Sequence, residues 1–407
     1  MREEQDMRQK IDLLNGPVFP SLAKLAVPIM ATSLVQMAYN LTDMIWIGRI
    51  GSNAVASVGA AGMYMWFANG IAVLAKMGGQ VKVGHALGAG EPEQARGYAR
   101  NAIQLSLFFG LFYGIICLLF QGPLIGFFRL NSKTVIQDAE VYLAITCGLV
   151  VFSFLNQVFP GILTAMGNSR TSFLATAIGL VINIILDPIL IFGIGPFPQM
   201  YVAGAAIATV FAQFVSVVCS VVVLRKQDMP IEFSREQCRI YKEELGKILN
   251  VGVPIALQET TVQISFLVVN SVINQMGLMP SAGYGIAQKI VSFIMLVPSS
   301  IMQSVSAFVA QNIGAGKKSR AWKGFYTAII TGCSVGIIIF MVGFFGGGVL
   351  SSFFTNDSEV IAQSAAYLKG FSTDCILTCV LFSSIGYFNG CGKSIPVMIQ
   401  GITSAFC

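Results

Sequence analysis

Residues 173–193 read FLATAIGLVINIILDPILIFG, and Asp187 is the only charged side chain in this stretch. About 20 consecutive apolar residues are enough for an α-helix to cross the hydrocarbon core of a bilayer. Backbone N–H and C=O groups cannot face lipid unpaired, so a stretch of this kind predicts a membrane-spanning helix. A carboxylate in the middle of such a helix is costly and needs a partner or a polar cavity.

Ten further stretches of this kind follow one another along the chain. Their approximate cores are residues 22–45, 55–77, 102–122, 138–160, 202–224, 249–273, 284–308, 325–347, 361–388 and 396–407, and the last is cut short. The alternating pattern of about ten residues that a membrane β-barrel needs is not present. The sequence therefore predicts an all-α polytopic membrane protein with about eleven spans in these residues.

The composition supports this fold class. Of the 407 residues 55% are hydrophobic and 11% are charged, against roughly 25% charged residues in an average soluble domain. These values exclude a soluble globular protein, a disordered chain, a coiled coil and a secreted disulfide scaffold. The N-terminus MREEQDMRQK carries both signs of charge and is not followed directly by an apolar region with a cleavage site, so we predict no signal peptide.

Basic residues concentrate on one side of the predicted membrane. With a cytoplasmic N-terminus, 20 of the 25 Lys and Arg fall in cytoplasmic segments, Lys76 and Lys82 among them, and three fall on the opposite side. The remaining two, Lys289 and Lys369, lie within spans. The positive-inside rule therefore predicts a multi-pass protein of the cell (inner) membrane with a cytoplasmic N-terminus. The net charge of +6 is explained by topology, and no nucleic-acid partner is expected.

An internal repeat organises the chain. Val27-Pro28-Ile29 returns 226 residues later as Val253-Pro254-Ile255, and Gly88-Ala89-Gly90 returns at the same offset as Gly314-Ala315-Gly316. Because an even number of spans separates the copies, both halves have the same orientation, as in transporters built from parallel repeats.

The repeat divides the chain into two lobes of six helices each. We predict an N-lobe over residues 1–224 with helices one to six, a cytoplasmic linker over 225–248, and a C-lobe over 249–407 with helices seven to eleven. Extending the repeat predicts twelve helices in a natural protein about 40 residues longer, and a fragment ending at Cys407 that is poorly stable or inactive.

Four acids lie well inside the apolar stretches: Asp43, Asp187, Glu259 and Asp374. Acids in such positions usually face a cavity or a partner and serve transport, and a structural contact between helices is the alternative for each. Asp43 has no acidic mate in the repeat, because position 269 is valine, and the mate of Asp187 would lie past residue 407. A residue present in one half only is expected to have a local role rather than one in the shared fold.

Two further residues accompany these acids. Asn183 precedes Asp187 by four residues, which places both on one face of a helix. An amide can hydrogen-bond a carboxyl group in either protonation state, which suits a group that loads and releases a proton. Pro28 lies inside the first span, where it favours a bend, and an ordinary membrane-helix kink is the alternative.

Other candidate sites are weak. The single histidine, His85, lies in a predicted Gly-rich loop far from the acids, and no cysteine has a metal-binding partner at zinc spacing. Gly-Ala-Gly at 88–90 and 314–316 lacks the spacing of a phosphate loop, and its duplication favours a turn. We therefore predict no enzyme, no resident metal and no cofactor other than a coupling ion.

Together these features resemble the multidrug and toxic compound extrusion (MATE) transporters. The resemblance rests on motifs spread over the whole chain: Val27-Pro28, Tyr39-Asn40-Leu41-Thr42-Asp43 leading to Ile47-Gly48-Arg49, both Gly-Ala-Gly copies, Ala165-Met166-Gly167-Asn168-Ser169, and Asn183 to Pro188. The family implies two six-helix lobes around a V-shaped cleft that opens alternately to either side. It also implies export of organic cations, often aromatic drugs, in exchange for H+ or Na+.

The first half is similar to the DinF branch of that family. This resemblance implies a cation-coupling and substrate site at Asp43, Asn183 and Asp187, with H+ or Na+ held between the two aspartates. We expect the coupling ion and a cationic substrate to compete for the shared carboxylates. The resemblance also implies neighbours of the site and a bending point in the first span, namely Tyr142, Thr209 and Asn156 for the neighbours and Pro28 for the bend.

A second cation site is a separate expectation from the same family. The NorM branch relies on acids in spans seven and ten, where this chain has Glu259 and Asp374. Those two residues are therefore candidates for a site in the C-lobe.

Two other functions stay open at this point. A flippase for lipid-linked precursors would need a basic cleft, and Lys289 and Lys369 are the only basic residues predicted to be intramembrane. A membrane-embedded enzyme would need histidine clustered with carboxylates, which one histidine does not supply. The expected partners are small organic cations and the lipid bilayer, and a monomer is expected.

Overall fold

The computed structural model describes residues 11–130, 132–226 and 242–406. Every regular element within these ranges is an α-helix, as the apolar stretches predict. In chain order the helices are α1 (Val18–Ile50), α2 (Ser52–Gly88), α3 (Pro92–Leu119), α4 (Gln121–Gly126), α5 (Lys133–Gly148), α6 (Val151–Ala165), α7 (Ser169–Phe192), α8 (Tyr201–Lys226), α9 (Lys242–Gln275), α10 (Leu278–Gly314), α11 (Lys318–Ser352), α12 (Ser358–Gly390) and α13 (Ser394–Phe406).

Nine helices in the described part of the chain are long and apolar enough to cross a membrane, namely α1, α2, α3, α7, α8, α9, α10, α11 and α12. A tenth span is present if α5 and α6, which meet at a bend of 42°, count as one. The bend follows Gly148, whose carbonyl oxygen lies 2.8 Å from where a Cβ on Gly114 of α3 would be. Close backbone packing on α3 therefore accompanies the break in this span.

The sequence repeat sets the helix boundaries. Helices α2 and α10 begin at Ser52 and Leu278, 226 residues apart, and end at Gly88 and Gly314 with the same offset. The bent pair α5–α6 corresponds to one continuous helix, α12, so the repeat preserves boundaries but not the bend. We call α1–α8 the first lobe and α9–α13 the second lobe.

Part of the predicted linker is helical. Helix α9 begins at Lys242, inside the predicted linker 225–248. Lys247 forms an ion pair with Glu243 at 2.8 Å, which supports the first turns of the helix. Asn101 of α3 donates a hydrogen bond to Glu244 at 2.8 Å and holds this start against the first lobe. Residues 227–241 of the predicted linker lie outside the described residues.

The two lobes meet through several helix pairs, in which α2 packs on both α9 and α10 and α1 packs on α10. The contact between α2 and α10 extends to one end of the bundle. A Cβ on Gly88 would collide with the Gln311 carbonyl, and one on Gly314 would collide with the His85 carbonyl, so only glycine permits this approach. Just beyond, Gly90 and Gly316 adopt φ values of +76° and +71°, in the left-handed region that glycine favours. The two Gly-Ala-Gly copies are therefore turns, as predicted. We call this end of the molecule the basic end, because it belongs to the side on which the basic residues of the sequence concentrate.

Side chains add further links between the lobes at the basic end. The His85 ring nitrogen Nε2 lies 2.8 Å from the Gly390 carbonyl oxygen, and Gln311 donates to the Ala165 carbonyl at 2.6 Å. The prediction that His85 lies in a loop is wrong, because α2 continues to Gly88 and places His85 in its last turn. These contacts join the two lobes at the basic end.

The segment before α1 adds to these contacts. Leu13 is 1% exposed and packs in the same apolar cluster as Phe308 of α10. Asn312 of α10 donates to the Leu13 carbonyl at 3.1 Å. Arg320 of α11 donates to the carbonyls of Leu13 and Gly16. A segment that precedes the first lobe is thus held by the second.

Candidate functional site

Two acids from different helices meet inside the first lobe. Asp187 and Asn183 of α7 are both 0% exposed, and Asn183 Nδ2 donates to Asp187 Oδ1 at 3.0 Å. The carboxyl group of Asp43 of α1 lies close enough to Asp187 and Asn183 for the three side chains to interact. The structure therefore brings together the three residues that the sequence placed in one site.

Helices α8 and α5 complete the surroundings of this carboxylate pair. Thr209 of α8 donates from Oγ1 to Asp43 Oδ2 at 3.3 Å. Tyr142 of α5 is buried and close enough to interact electrostatically with Asp43 and Asp187. Within the described residues, however, no hydrogen bond joins the Tyr142 hydroxyl to either acid. Tyr142 therefore closes the site sterically and electrostatically rather than as a hydrogen-bond partner.

Three oxygens of the site lack a hydrogen-bond partner among the described residues: Asp43 Oδ1, Asn183 Oδ1 and Asp187 Oδ2. A buried oxygen without a partner is costly, so a site that collects three of them is suited to bind something that supplies positive charge or protons. Carboxylate and amide oxygens are ligands for hard cations, and a carboxylate also takes a proton. The residues present therefore fit either H+ or Na+.

A resident multivalent metal has less support. The described residues contain no group of three or more His, Cys, Asp or Glu side chains that could hold a metal ion. The carboxylate pair itself contributes only two acids. Together with the amide of Asn183, these acids offer oxygen ligands for one small cation.

A cavity of about 390 Å³ lies beside the carboxylate pair. Its walls come from α1, α2, α6, α7 and α8 of the first lobe, with Gln303 of α10 from the second. Most lining side chains carry hydroxyl or amide groups; the amides include Gln36, Asn40, Asn69, Asn156, Gln157 and Gln303. The volume lies within the range of about 300–1,000 Å³ that is typical of pockets for drug-sized ligands.

Helix α1 connects the cavity with the carboxylate pair. Tyr39 and Asn40 line the cavity, while neither Asp43 nor Asp187 is among its lining residues. Tyr39 lies one helical turn before Asp43 and interacts with it electrostatically. The acids therefore stand behind the cavity wall, and the expected competition of ion and substrate for one carboxylate would need a substrate that reaches past this wall. Any coupling between the two places would pass through α1.

Asn156 belongs to the cavity and not to the carboxylate pair. Its Nδ2 donates to the Gln213 carbonyl of α8 at 2.9 Å, and its side chain lines the cavity. Nearby, Gln157 Nε2 donates to Asn69 Oδ1 at 3.0 Å, and Ser153 donates to the same oxygen at 3.3 Å. These bonds hold the amide wall in a defined arrangement before any ligand arrives.

The two acids of the second lobe do not form a comparable site. Glu259 of α9 is partly buried, and the charge that acts on it comes from Lys76 of α2. Asp374 of α12 is exposed and accepts a hydrogen bond from Thr378 at 2.9 Å. Within the described residues, no hydrogen bond or ion pair links Glu259 with Asp374.

One cavity residue, Lys76, lies elsewhere than its sequence context predicts. The count of basic residues assigns it to a cytoplasmic segment, but it lies inside α2 and lines the cavity. Since α2 ends at Gly88, Lys76 stands about 18 Å from that end at 1.5 Å per residue. The position of Lys76 inside the helix could have been inferred from the Gly-Ala-Gly turn, because that turn marks where α2 ends. Lys289 and Lys369, which were expected to be intramembrane, are exposed on the second lobe.

Pro28 lies inside the continuous helix α1, and Pro254 holds the equivalent place in α9. The ring of Pro28 leaves the carbonyl four residues earlier without its usual helical N–H donor. Thr32 donates to the Pro28 carbonyl at 2.9 Å. This part of α1 is therefore the point in the helix where backbone hydrogen bonding is weakest.

Comparison with known proteins agrees with the repeat. A protein-family model described as MatE matches residues 28–189 and again residues 254–407. The two matches begin 226 residues apart and together cover most of the chain.

Individual relatives match over most of their length. A probable multidrug resistance protein NorM of Thermotoga maritima is 27% identical over 384 residues, covering 93% of this chain and 81% of the relative. A FAD transporter of Shewanella oneidensis is 24% identical over 364 residues, covering 89% of this chain and 80% of the relative. This chain is also similar to a solved structure described as the outward-facing conformation of a multidrug resistance MATE family transporter of the MOP superfamily. The two structures align with a TM-score of 0.88 at 23% identity, and the alignment covers 98% of this chain and 88% of the other.

Proposed function

The chain belongs to the MatE family of membrane transporters, and from that premise we propose that it exports small organic molecules in exchange for H+ or Na+. The observation that carries the proposal is the buried group of Asp43, Asn183 and Asp187 with its three unpartnered oxygens. The 390 Å³ cavity beside it is the proposed substrate site.

The exchange begins with the cleft open opposite the basic end. A proton or Na+ enters the first lobe and binds the oxygens of Asp43, Asn183 and Asp187. Binding changes the charge of the site, and α1 responds by bending near Pro28, where its backbone hydrogen bonding is weakest. The same helix contributes Tyr39 to the cavity wall, so its movement reshapes the cavity and releases the substrate.

This coupling is indirect. The ion and the substrate bind at different places on the two sides of α1, and each favours a different conformation of that helix. Two ligands that bias one two-state element in opposite directions weaken each other's binding, which is the thermodynamic condition for exchange. No shared carboxylate is required.

We propose that the basic end faces the cytoplasm of a cell with this protein in its inner membrane. The concentration of Lys and Arg at that end supports this orientation through the positive-inside rule. The conformation is then outward-open, because the lobes touch at the basic end. We propose a monomer, since residues of one chain form both the carboxylate pair and the cavity.

The substrate is a small organic molecule in this proposal, and multidrug export is its broadest form. The family resemblance favours organic cations and aromatic drugs, while the names of relatives range from multidrug resistance protein to FAD transporter. A lipid-linked precursor is the alternative substrate. Lys76 supplies the cavity with a basic residue that such a precursor would need.

The proposal is tested by the substitution Asp43→Asn. It keeps the size of the side chain and removes the charge. We therefore expect drug efflux from cells, or drug uptake into everted vesicles, to fall at least tenfold, while the protein remains folded in the membrane. Asp374→Asn is the matched control, because Asp374 is an exposed acid of the second lobe. Full efflux by the Asp43→Asn variant would show that the carboxylate pair does not couple transport.

A further inference from the structure

The cavity in the first lobe carries one formal charge, and that charge is positive. Among the described residues that line it, Lys76 is the only ionisable side chain of Lys, Arg, Asp or Glu type, and no acid is present. The remaining polar lining consists of hydroxyl and amide groups. The wall can therefore donate and accept hydrogen bonds, but its net charge is that of a cation.

Packing holds Lys76 in this wall. Gly161 of α6 faces it so closely that an added Cβ would lie 3.0 Å from the Lys76 carbonyl oxygen and 3.2 Å from its Cγ. The aliphatic stem of the lysine therefore lies against the α6 backbone, where an added methyl group would make tight contacts. The close contact with α6 fixes the base of the side chain at the cavity.

The ammonium group is not neutralised by a direct partner. Within the described part of the chain, Lys76 Nζ forms no hydrogen bond and no ion pair. Glu259 of α9 acts on Lys76 through its charge alone, and Glu259 is not among the residues that line the cavity. The three N–H donors of the ammonium group are thus available to a ligand in the cavity.

We propose that the cavity binds small organic molecules that carry an anionic group, a carboxylate or a phosphate, and that Lys76 selects for this charge. The inference rests on the proposed function in that the cavity is taken as the substrate site. An ammonium group forms charge-assisted hydrogen bonds with carboxylate and phosphate oxygens. An organic cation would meet the positive charge of Lys76 without a counter-ion in the wall, so the preferred charge is opposite to that implied by the family resemblance.

The rest of the wall suits the uncharged part of such a ligand. The amides of Asn69 and Gln157 are linked to each other, and Asn156 is anchored to α8, so they present their remaining polar atoms in fixed positions. Polar edges of an aromatic or heteroaromatic ring match this arrangement better than a long apolar chain would. A compact acidic ring compound is therefore the favoured ligand.

Two pairs of fluorescent probes test the charge preference at equilibrium, with the purified protein in lipid nanodiscs. Fluorescein and rhodamine 123 share a three-ring core, but the first is an anion with a carboxylate and the second is a cation. Riboflavin 5′-phosphate and uncharged riboflavin form the second pair, which tests a phosphate group. We expect the anionic member of at least one pair to bind more tightly, as measured by fluorescence anisotropy.

Substitution then assigns the preference to Lys76. We expect Lys76→Gln to weaken binding of the anionic probe about tenfold or more, since a hydrogen bond to a charged group is lost. Lys76→Arg keeps the charge and should retain most of the affinity. Lys82→Gln removes a lysine from the same helix outside the cavity lining and is the matched control. Gln36→Glu adds a negative charge at an exposed cavity position, which offsets the charge of Lys76, and should weaken anion binding and remove the preference even if Lys76→Gln fails to fold.

Two results would overturn the inference: the anionic probe binds no better than its partner in either pair, or Lys76→Gln and Gln36→Glu both leave anion binding unchanged. Because binding is measured without an ion gradient, these results are independent of transport. Loss of coupled efflux in Asp43→Asn with intact anion binding would support both proposals. Intact efflux in Asp43→Asn with Lys76-dependent anion binding would overturn only the coupling proposal.

Discussion

At the scale of single residues, the buried oxygen site and the polar cavity of the first lobe lie one turn of α1 apart. Asp43 belongs to a buried oxygen site with Asn183 and Asp187, and Tyr39 belongs to a polar cavity. The acids stand in apolar helices where a carboxylate is costly, which is why they were visible in the sequence. Only the folded structure shows that the second lobe lacks such a pair.

The hydrogen bond from Asn183 to Asp187 provides a prediction at this scale. Asn183→Leu replaces the amide with an apolar group of similar size and leaves the buried Asp187 carboxylate without that donor. We expect the affinity for the coupling ion to change about tenfold or more, measured as the H+ or Na+ concentration that gives half-maximal transport. The matched control is Thr378→Val, which removes a donor from the exposed Asp374. Equal effects of the two substitutions would contradict a special role for the buried pair.

Two residues of the candidate site, Lys76 and Tyr39, could not be placed from the sequence. Asp187, Asn183 and Asp43, by contrast, stand out because they are polar within apolar stretches. Lys76 lies near a loop in the sequence, and a count of basic residues does not show how far a helix extends beyond the membrane surface. Tyr39 has an aromatic side chain that fits a membrane helix equally well as packing, so its place in the cavity depends on how α1 is rotated against α6 and α7.

At the scale of helices, the contact between α2 and α10 is one of those that join the lobes at the basic end. Gly88 and Gly314 are equivalent positions of the repeat, and each packs against backbone of the other lobe. His85 and Gln311 add hydrogen bonds across the same contact. The duplicated Gly-Ala-Gly motif could be predicted to form turns, but the close approach just before each turn depends on how the two lobes pack. The bend between α5 and α6 was likewise not predictable, since its repeat mate α12 is one continuous helix.

Substitution of these glycines tests the closure. In Gly88→Ala the new methyl group would collide with the Gln311 carbonyl, so α2 and α10 must move apart at the basic end. We expect a larger population open at that end, measured by labelling of an introduced cysteine there or by distances between spin labels on the two lobes. Gly59→Ala, in the same helix but with no atom within 4 Å of the added Cβ, should not change this population. An unchanged population in Gly88→Ala would show that this contact does not hold the closed end.

At the scale of the whole molecule, two copies of one helical pattern have acquired different roles. The boundaries of the helices follow the repeat offset closely, so the helical fold and its repeat could be predicted from the sequence alone. The carboxylate pair and most of the cavity wall belong to the first lobe, while the second lobe closes the basic end through α10 and α11. In the proposed function, the first lobe binds the ligands while the contact between the lobes changes.

The substrate charge also has a consequence for the whole molecule. Exchange of one entering proton for one leaving monovalent cation moves no net charge, so only the pH gradient would drive it. Exchange of an entering proton for a leaving monovalent anion moves two positive charges inward. Each charge crossing 100 mV is worth roughly 2.3 kcal/mol, so the membrane potential would then contribute directly to export.

The most direct test of ion-coupled exchange uses proteoliposomes in which a pH gradient or a Na+ gradient is imposed separately. We expect one of the two gradients to drive substrate movement against its own gradient in the native protein. The same gradient should drive none in Asp43→Asn or Asp187→Asn, although both variants still bind substrate. Uphill transport by both variants at the native rate, or equal transport with no gradient imposed, would contradict coupling through the carboxylate pair.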